Sequence, residues 1–335
     1  MLRRWSYPVA LVSMLAWPST RLVAQQPTPA DSESLAQQIA DQFVLLAGGI
    51  HPGFRYNHAK GIVLTGTFTP TGEGASISRA AHFRGSAVPV IVRLSDASGI
   101  PNIPDTHPAA QPHGMAIRFT LPDKSSTDIV AVSHNGFIVG TGEDFLALLK
   151  AVAATKPDSP HPSPVEAFLG THPRAMQFVI DNAKLPTSFA TLSYFSNNAV
   201  TFVDAKGKNR AVRYQIIPVA GVQTIESAAV ATAGPDYLFT DLPQRLTRGP
   251  VQYTLYAQIA SPGDPTNDGS IVWPADRQRV RLGTISLTAI APNNAELQRS
   301  LAFSPVNLID GIELSDDPLP LLRAAVYALS VAHRQ

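Results

Sequence analysis

Two side chains near the end of the chain have types and a spacing that could hold a metal. Arg323 and Tyr327 are four residues apart in a segment with helical character, so they share one face, and Arg334 lies two turns further on nearly the same face. A guanidinium beside a phenol favours the phenolate. A phenolate is a hard anionic ligand for ferric iron, and tyrosine ligates haem iron in some proteins. Taken alone, however, the spacing favours an ordinary Arg–Tyr packing contact.

A second stretch, "FRYNHAKG" at 54–61, places a histidine at the entrance of a strand. Residues 61–68 read "GIVLTGTF", a mixture of apolar, threonine and aromatic residues that favours a strand. The entrance holds Arg55, His58 and Lys60, which is unusually polar for a chain about to enter a core. An imidazole can act as general base and then as general acid near neutral pH. The Lys60 side chain is expected to be solvated.

Composition excludes several other kinds of site. The 335 residues include no cysteine, which excludes disulfides, thiolate nucleophiles and cysteine-based metal sites. The formal net charge is +1 and no basic stripe is present, which argues against nucleic-acid binding. No H-E-x-x-H or G-x-S-x-G motif occurs, and the glycines at 71–76 and 140–144 lack the context of a nucleotide site. Five histidines lie in polar or proline-rich loops and are expected to be solvated: His51, His82, His107, His161 and His172.

The beginning of the chain has the pattern of a signal peptide. Arg3 and Arg4 precede a mostly apolar stretch at 8–16, and Ala24 offers a small residue at the cleavage position. The stretch is too short to span a membrane, and the arginine pair is compatible with a twin-arginine signal. We therefore expect a periplasmic or secreted protein without a membrane contact. Its expected parts are a signal peptide at 1–24, a linker at 25–33 and a single domain at 34–335.

The remaining chain predicts an α+β fold whose core is an antiparallel β-barrel with flanking helices. Helical periodicity and end signals predict helices over 32–49, with Ser32 as N-cap, and over 143–155, 164–184 and 315–334. Short β-type runs alternate with turn signals, which is typical of antiparallel sheets and barrels. These runs are 61–68, 88–95, 113–121, 128–133, 199–203, 211–218, 251–260 and 280–290.

Further segments between the two ends occur in an order that links them. "PHGMAIRF" (112–119), "DIVAVSHNGF" (128–137) and "WPADRQRVRLG" (273–283) lie between R-x-x-H-A-x-G at 55–61 and R-x-x-x-Y at 323–327. In this order the motifs resemble the catalase superfamily, and specifically its branch of small periplasmic catalase-related peroxidases. The first motif is similar to the distal haem motif of that family and the last to the proximal one. The resemblance covers roughly residues 45 to 335.

The resemblance implies a ferric, b-type haem held between the two end motifs by a C-terminal proximal helix. His58 matches the distal histidine, Ser95 matches the serine that hydrogen-bonds it, and Tyr327 matches the axial ligand of the haem iron. The other cofactor contacts that the family implies are Arg55, Arg93 and Arg334 with the haem propionates, Arg323 as the arginine that activates the tyrosine, and Phe145 as the aromatic residue beside the haem.

One position departs from the family pattern. Catalases place an asparagine on the distal side, early in the strand that follows D-x-V, and an ungapped reading puts Val132 there. Asn135 lies three residues on, and the period of two in a strand turns it to the opposite face. We expect the missing donor to impair the oxygen-releasing half of the catalase cycle more than the first oxidation.

The function that the resemblance implies is a haem peroxidase that reduces hydrogen peroxide or organic peroxides with a small organic electron donor, with weak catalase activity. Two alternatives remain open. An enzyme of the same fold that rearranges lipid hydroperoxides would share the haem contacts. A non-enzymatic haem-binding protein would need Tyr327 and the arginines but not His58 or Ser95. The oligomeric state and the physiological donor do not follow from the sequence.

Overall fold

The computed structural model of the protein describes residues 29–334, with the side chains of 34–226 and 229–334. The predicted signal peptide lies outside the described residues and stays a prediction. The first helix begins at Pro29, so the predicted linker at 25–33 is wrong over its second half, and Ser32 lies inside the helix rather than at its N-cap. Within the described range, no helix combines the length and the apolar character needed to cross a lipid bilayer.

The described residues form ten strands and eight helices, besides short 3₁₀ turns. The strands are β1 (Gly61–Pro70), β2 (Val88–Ser95), β3 (Gly114–Thr120), β4 (Ser126–Val132), β5 (Tyr194–Phe195), β6 (Val200–Val203), β7 (Asn209–Pro218), β8 (Val251–Ile259), β9 (Arg279–Ile290) and β10 (Ile312–Leu314). The helices are α1 (Pro29–Leu46), α2 (Gly142–Ala154), α3 (Pro164–Thr171), α4 (Pro173–Asp181), α5 (Ser227–Val230), α6 (Tyr237–Leu246), α7 (Asn294–Ser300) and α8 (Leu319–Ala332).

The predicted antiparallel barrel is confirmed. Eight strands pair in the order β1-β2-β3-β4-β5-β7-β8-β9, and the pairing of β9 with β1 closes the ring. Strands β6 and β10 extend the sheet beside β7. The interior is filled by fully buried apolar side chains, among them Leu64, Phe68, Phe119, Ile216 and Tyr253. Each such side chain contributes roughly 1.5–3 kcal/mol by leaving water, which makes the barrel a rigid support for the site.

Two predicted helices have different boundaries in the structure, one because of a proline and the other because of a side-chain cap. The predicted helix at 164–184 is divided into α3 and α4 at Pro173, which has no N–H to continue the hydrogen-bond ladder. Helix α8 begins at Leu319 instead of 315, and Asp317 Oδ1 accepts the Leu319 N–H at 2.9 Å. The short helices α5, α6 and α7 were not predicted.

The outer face of strands β2, β3 and β4 carries the side chains that matter for function. Successive side chains of a strand point to opposite faces, so the residues between the buried core positions point away from the barrel interior. The strand register places Ser95 opposite Gly114 and Gly114 opposite Val132. It likewise places Arg93 opposite Ala116. Helices α1, α2 and α8 share a second apolar cluster and border the cavity that this face lines.

The histidines that were expected to be solvated do not all behave so. His107 and His161 are exposed, and His51 and His172 are partly buried. His82 is 1% exposed, so that prediction is wrong. Its ring lies 3.9 Å from that of Phe83 and 4.9 Å from that of Phe119, measured between centroids, because a short 3₁₀ turn at 81–83 directs it into the barrel. Burial lowers the pKa of His82 to about 3, so the ring is neutral there.

Candidate active site

One cavity brings together every residue that the sequence predicted for the site. It lies between the outer face of the barrel and helix α8, and its empty volume is about 1250 Å³ including the mouth. Helices α1 and α2 and the loop before β1 complete its walls. The predicted residues that line it are Arg55, His58, Arg93, Ser95, Phe145, Arg323, Tyr327 and Arg334. Residues almost three hundred positions apart in the sequence therefore share one space.

His58 is held in a strained conformation with one ring nitrogen tied to the end of β2. Its φ of 57° lies in the left-handed region, which a non-glycine residue occupies at a cost of roughly 1–3 kcal/mol. Nδ1 lies 2.9 Å from the Asp96 carbonyl oxygen and 3.2 Å from Ser95 Oγ. A carbonyl cannot donate, so Nδ1 carries the proton and Nε2 carries the lone pair. Among the described residues, Nε2 has no hydrogen-bond partner.

Burial sets the protonation state of this histidine. Burial, with the positive charge of Arg93 as the next cause, lowers the pKa of His58 to about 3. The imidazole is therefore neutral at every ordinary pH and presents a free lone pair in the cavity. A neutral histidine with one nitrogen fixed and the other free can act as a general base.

Tyr327 is held by a chain of polar groups that starts behind it. Arg323 donates to the Tyr327 hydroxyl oxygen from Nε at 3.3 Å and from Nη2 at 3.1 Å. Its third nitrogen, Nη1, donates to Asn198 Oδ1, and Asn198 Nδ2 donates to Asp317 Oδ2 at 2.7 Å. Sequence analysis missed Asn198 and Asp317. Asn198 is 125 residues away from Arg323, so no local pattern connects them.

Three arginines at one side of the cavity have no carboxylate partner within the described residues. Arg55 donates to the carbonyl oxygens of Gln298 and Leu301, both at 2.8 Å. Arg93 donates to the His58 carbonyl oxygen at 2.8 Å, and Arg334 donates to that of Leu301 at 3.1 Å. Burial lowers the pKa of all three guanidinium groups, and the two neighbouring charges lower that of Arg55 further.

A cluster of buried positive charges of this kind is expected to bind an anion. Arg93 and Arg334 are 4% and 5% exposed, and Arg334 Nε has no hydrogen-bond partner among the described residues. A buried cation is costly unless an opposite charge pairs with it. Gln298, on the unpredicted helix α7, accepts from Arg93 Nε at 2.6 Å and holds the cluster in place. The cavity thus joins an anion-binding corner to a phenol and a neutral imidazole.

Comparison with known proteins identifies the family. The sequence model described as Catalase matches residues 53–335. The chain belongs to the catalase family. It is 37% identical over 290 residues to a "Catalase-related peroxidase" of Mycolicibacterium paratuberculosis, covering 86% of this chain and 91% of that protein. It is 32% identical over 337 residues to a "Catalase-related peroxidase" of Synechococcus elongatus, covering 99% and 96%.

A solved structure extends the comparison to three dimensions. The crystal structure of a fungal catalase has a TM-score of 0.75 and 21% sequence identity, covering 96% of this chain and 66% of that one. At this identity the likeness shows the catalase fold alone. Catalases generally bind haem. The residues of this cavity fit that group, because haem offers an iron for the Tyr327 oxygen and two propionate carboxylates for the arginine cluster.

The remaining wall of the cavity is apolar and contains the departure from the catalase pattern. The Phe145 ring lies 5.9 Å from that of Phe43 and 5.3 Å from that of Phe137, measured between centroids. Val132 lines the cavity on the strand face of Ser95 and Gly114, whereas Asn135 is not one of the lining residues. The position where catalases carry an asparagine is therefore occupied here by a side chain that cannot donate a hydrogen bond.

The missing side chain of Gly114 provides the space that the His58 imidazole occupies. A Cβ at this position would stand 2.8 Å from Ser95 Oγ and 2.9 Å from His58 Nδ1, closer than real Cβ contacts come. We expect Gly114→Ala to displace the imidazole and to slow the peroxide reaction of the haem-loaded protein by about 10²-fold, the usual effect of a misplacement near 1 Å. Stopped-flow mixing with peroxide measures this rate.

The control for this substitution is Gly170→Ala. A Cβ there meets no heavy atom within 4 Å, and Gly170 lies in helix α3, so the same chemical change should leave the rate unaltered. Equal rates in the two variants would show that the imidazole does not depend on this space.

The prediction that the Lys60 side chain is solvated is wrong. This side chain is 10% exposed instead of solvated, and Nζ forms ion pairs with Asp105 and, at 2.7 Å, with Asp236. Nζ also donates to the Ile103 carbonyl oxygen at 2.8 Å. These partners come from segments 43 to 176 residues further along the chain, so the local sequence did not show that the ammonium group would be enclosed.

Proposed function

We propose that this catalase-family protein is a haem-dependent peroxidase that reduces hydrogen peroxide or organic peroxides with a small organic electron donor. The observation that carries the proposal is one cavity lined by His58, by Tyr327 with Arg323 bonded to its oxygen, and by an arginine cluster. In the part of the chain that the structure describes, His58 Nε2 has no hydrogen-bond partner and the arginines pair with no carboxylate. Ferric, b-type haem, when bound, would supply the redox chemistry that cleaves the peroxide O–O bond.

The residues of the cavity divide into those that hold the cofactor and those that move protons. The Tyr327 oxygen would ligate the iron, and the two hydrogen bonds from Arg323 would keep that oxygen oriented. Arg55, Arg93 and Arg334 would pair with the propionates, which restores the opposite charge that these buried guanidinium groups lack. Phe145 and its aromatic neighbours exclude water from the apolar side.

His58 is the group that moves the proton. Its neutral Nε2 would take a proton from one peroxide oxygen and return it to the other, which prepares this oxygen to leave as water, or as an alcohol from an organic peroxide, when the redox chemistry that haem supplies cleaves the O–O bond. The Asp96 carbonyl and Ser95 Oγ hold Nδ1, which fixes the ring during both transfers. No rearrangement of the ring is needed between the two steps, since the same nitrogen serves as base and as acid.

Val132→Asn tests the preference for peroxidase over catalase turnover. Asparagine would supply a distal donor, and one added hydrogen bond contributes about 1 kcal/mol, so we expect oxygen evolution to rise about fivefold relative to donor oxidation. Both rates are measured on the haem-loaded protein with hydrogen peroxide. Val132→Leu, which has a similar size and no donor, should keep the wild-type ratio. An equal ratio in all three proteins would contradict the role given to this position.

Reconstitution with haem tests the proposed function. We expect the full chain to bind ferric haem, and we expect its absorption spectrum to differ from that of a haem whose iron is ligated by histidine. The haem-loaded protein should oxidise a phenolic donor only when peroxide is present. Turnover of a fatty-acid hydroperoxide without any donor would instead identify the rearranging enzyme. Haem binding without either reaction would identify a haem carrier. A carrier would not need His58, whereas here its Nδ1 is held by two hydrogen-bond partners.

A further inference from the structure

A buried ionic cluster lies directly behind the distal histidine, and its carboxyl groups take no part in the proposed reaction. Its members are Asp96 at the end of β2, Asp105 in the following loop, Lys60 and His113, which precedes β3. The side chains of both aspartates and of His113 are fully buried. His113 Nδ1 lies 3.0 Å from Asp96 Oδ1, and Asp105 Oδ2 accepts the Leu238 N–H at 2.7 Å.

One oxygen of this cluster lacks a donor. Asp96 Oδ2 is buried and has no hydrogen-bond partner among the described residues, and the nearest cation, Lys60 Nζ, is 3.7 Å away. The carboxyl groups of Asp96 and Asp105 lie beside the same ammonium group, because Lys60 Nζ pairs with Asp105 Oδ1 and lies 3.7 Å from Asp96 Oδ2. Two buried carboxylates side by side repel each other, and a proton shared between them removes the repulsion and supplies the missing donor.

The electrostatics of the pair agree with the geometry. Burial is the main cause that raises the pKa of Asp96 to about 6 and that of Asp105 to about 7. The pair therefore retains a proton close to neutral pH, where an exposed aspartate has none. The charged and titratable groups that face it from the surrounding elements are Lys60, Arg93, Asp236, His113, His58, Tyr194 and Tyr237.

The cluster reaches the distal histidine through the backbone of a single residue. The Asp96 carbonyl oxygen accepts the proton of His58 Nδ1 at 2.9 Å, and the Asp96 N–H donates to the Lys60 carbonyl oxygen at 3.1 Å. The backbone of Asp96 is thus bonded both to the imidazole of His58 and to the backbone two residues after it.

We propose that Asp96 and Asp105 are positioning residues for His58: the proton shared by their carboxyl groups holds Asp96 where its carbonyl keeps the imidazole proton on Nδ1 and leaves Nε2 free. The proposal rests on the proposed function, which it deepens, because it names the groups that prepare the general base. Loss of the shared proton at higher pH places a second negative charge in the buried cluster and loosens this hold on Asp96.

The sign of the pH dependence follows from the raised pKa values. A carboxyl group whose pKa is raised on folding contributes stability that is complete below its unfolded value near 4 and is lost as pH rises through its folded value. For this pair the loss falls between about pH 4 and 7. His58, with a pKa of about 3, stays neutral across that window, so a change in its environment reports the pair.

Nitrogen-15 NMR of the histidine-labelled full chain without haem tests the proposal, with the His58 signals assigned by His58→Gln. We expect wild-type His58 to have its proton on Nδ1 and its signals to shift with pH between about 5 and 8. In Asp96→Asn the amide donates permanently from the position of Oδ2, so the tautomer should persist while the pH-dependent shift is lost. Asp96→Ala should give a mixture of tautomers. The control is Asp310→Asn, which changes an exposed aspartate paired with Arg79 and should resemble wild type.

Two results would overturn the proposal: a pH-dependent shift in Asp96→Asn identical to that of wild type, or no shift in wild type at all. The first can be read even when Asp96→Ala does not fold, since Asp96→Asn is nearly isosteric. The NMR experiment needs no haem. A haem-loaded protein that fails to react with peroxide would refute the proposed function and leave this inference standing.

Discussion

Replacing His58 with alanine is expected to slow the reaction of the haem-loaded protein with peroxide by about 10²–10⁴-fold, the range that a positioned general acid–base group contributes. The reason is that the imidazole, whose pKa is lowered to about 3 by burial, stays neutral at every ordinary pH, and its Nε2, which has no hydrogen-bond partner among residues 29–334, is the proposed base. Haem binding should be retained, because Tyr327 and the arginine cluster are unchanged. Stopped-flow absorbance after mixing with hydrogen peroxide gives the rate.

The control for this substitution is His161→Ala. The His161 side chain is 84% exposed, pairs with Glu166 at 2.8 Å and is not among the residues that line the cavity, so its loss should leave the rate unchanged. A His58→Ala protein that binds haem and reacts as fast as wild type would show that the distal imidazole moves no proton.

Tyr327→Phe is expected to weaken haem binding by more than about 100-fold. Changes to groups that only orient a metal ligand commonly reduce affinity 10–100-fold, and this change removes the ligand atom itself. Phenylalanine keeps the ring that packs on the apolar cluster of helices α1, α2 and α8 and deletes only the oxygen to which Arg323 donates. An absorbance titration of the purified chain with haem measures the affinity, and thermal unfolding of the haem-free variant verifies the fold.

Tyr256→Phe separates this effect from a general loss of a hydroxyl group. Tyr256 lies on strand β8, where Arg279 stacks on its ring at 5.2 Å, and it does not line the cavity. Haem affinity should be that of wild type. If Tyr327→Phe also bound haem with wild-type affinity and spectrum, the iron would be held by some other residue.

Much of the barrel could be predicted from the sequence because its strands alternate between a buried and an outward face. Strand β2 illustrates this, since Val92 and Leu94 are fully buried in the barrel while Arg93 and Ser95 line the cavity on the opposite face. The two end motifs, at 55–61 and 323–327, could also be found in the sequence, because each lies within a few consecutive residues. Their meeting in one cavity rested on the resemblance to catalases, and the structure supplies the geometry.

The groups that the sequence did not reveal are those whose environment comes from distant segments. Lys60 was expected to be solvated because it occupies a variable position of the family motif, yet it is enclosed by residues 103–105 and 235–239. Asn198 lies in the loop between β5 and β6 and contacts Arg323, and Gln298 lies in the short helix α7 and contacts Arg55 and Arg93. A long-range contact to one side chain leaves no trace in local composition.

The most direct test of the whole account is one experiment on the haem-loaded wild-type protein. It is mixed with hydrogen peroxide and a phenolic donor, and donor oxidation and oxygen evolution are followed together as peroxide is consumed. The account predicts that donor oxidation accounts for most of the peroxide and that oxygen evolution is slow, since Val132 offers no distal donor. Two results would contradict it: rapid oxygen evolution whose rate is not reduced by adding the donor, or no consumption of peroxide at all.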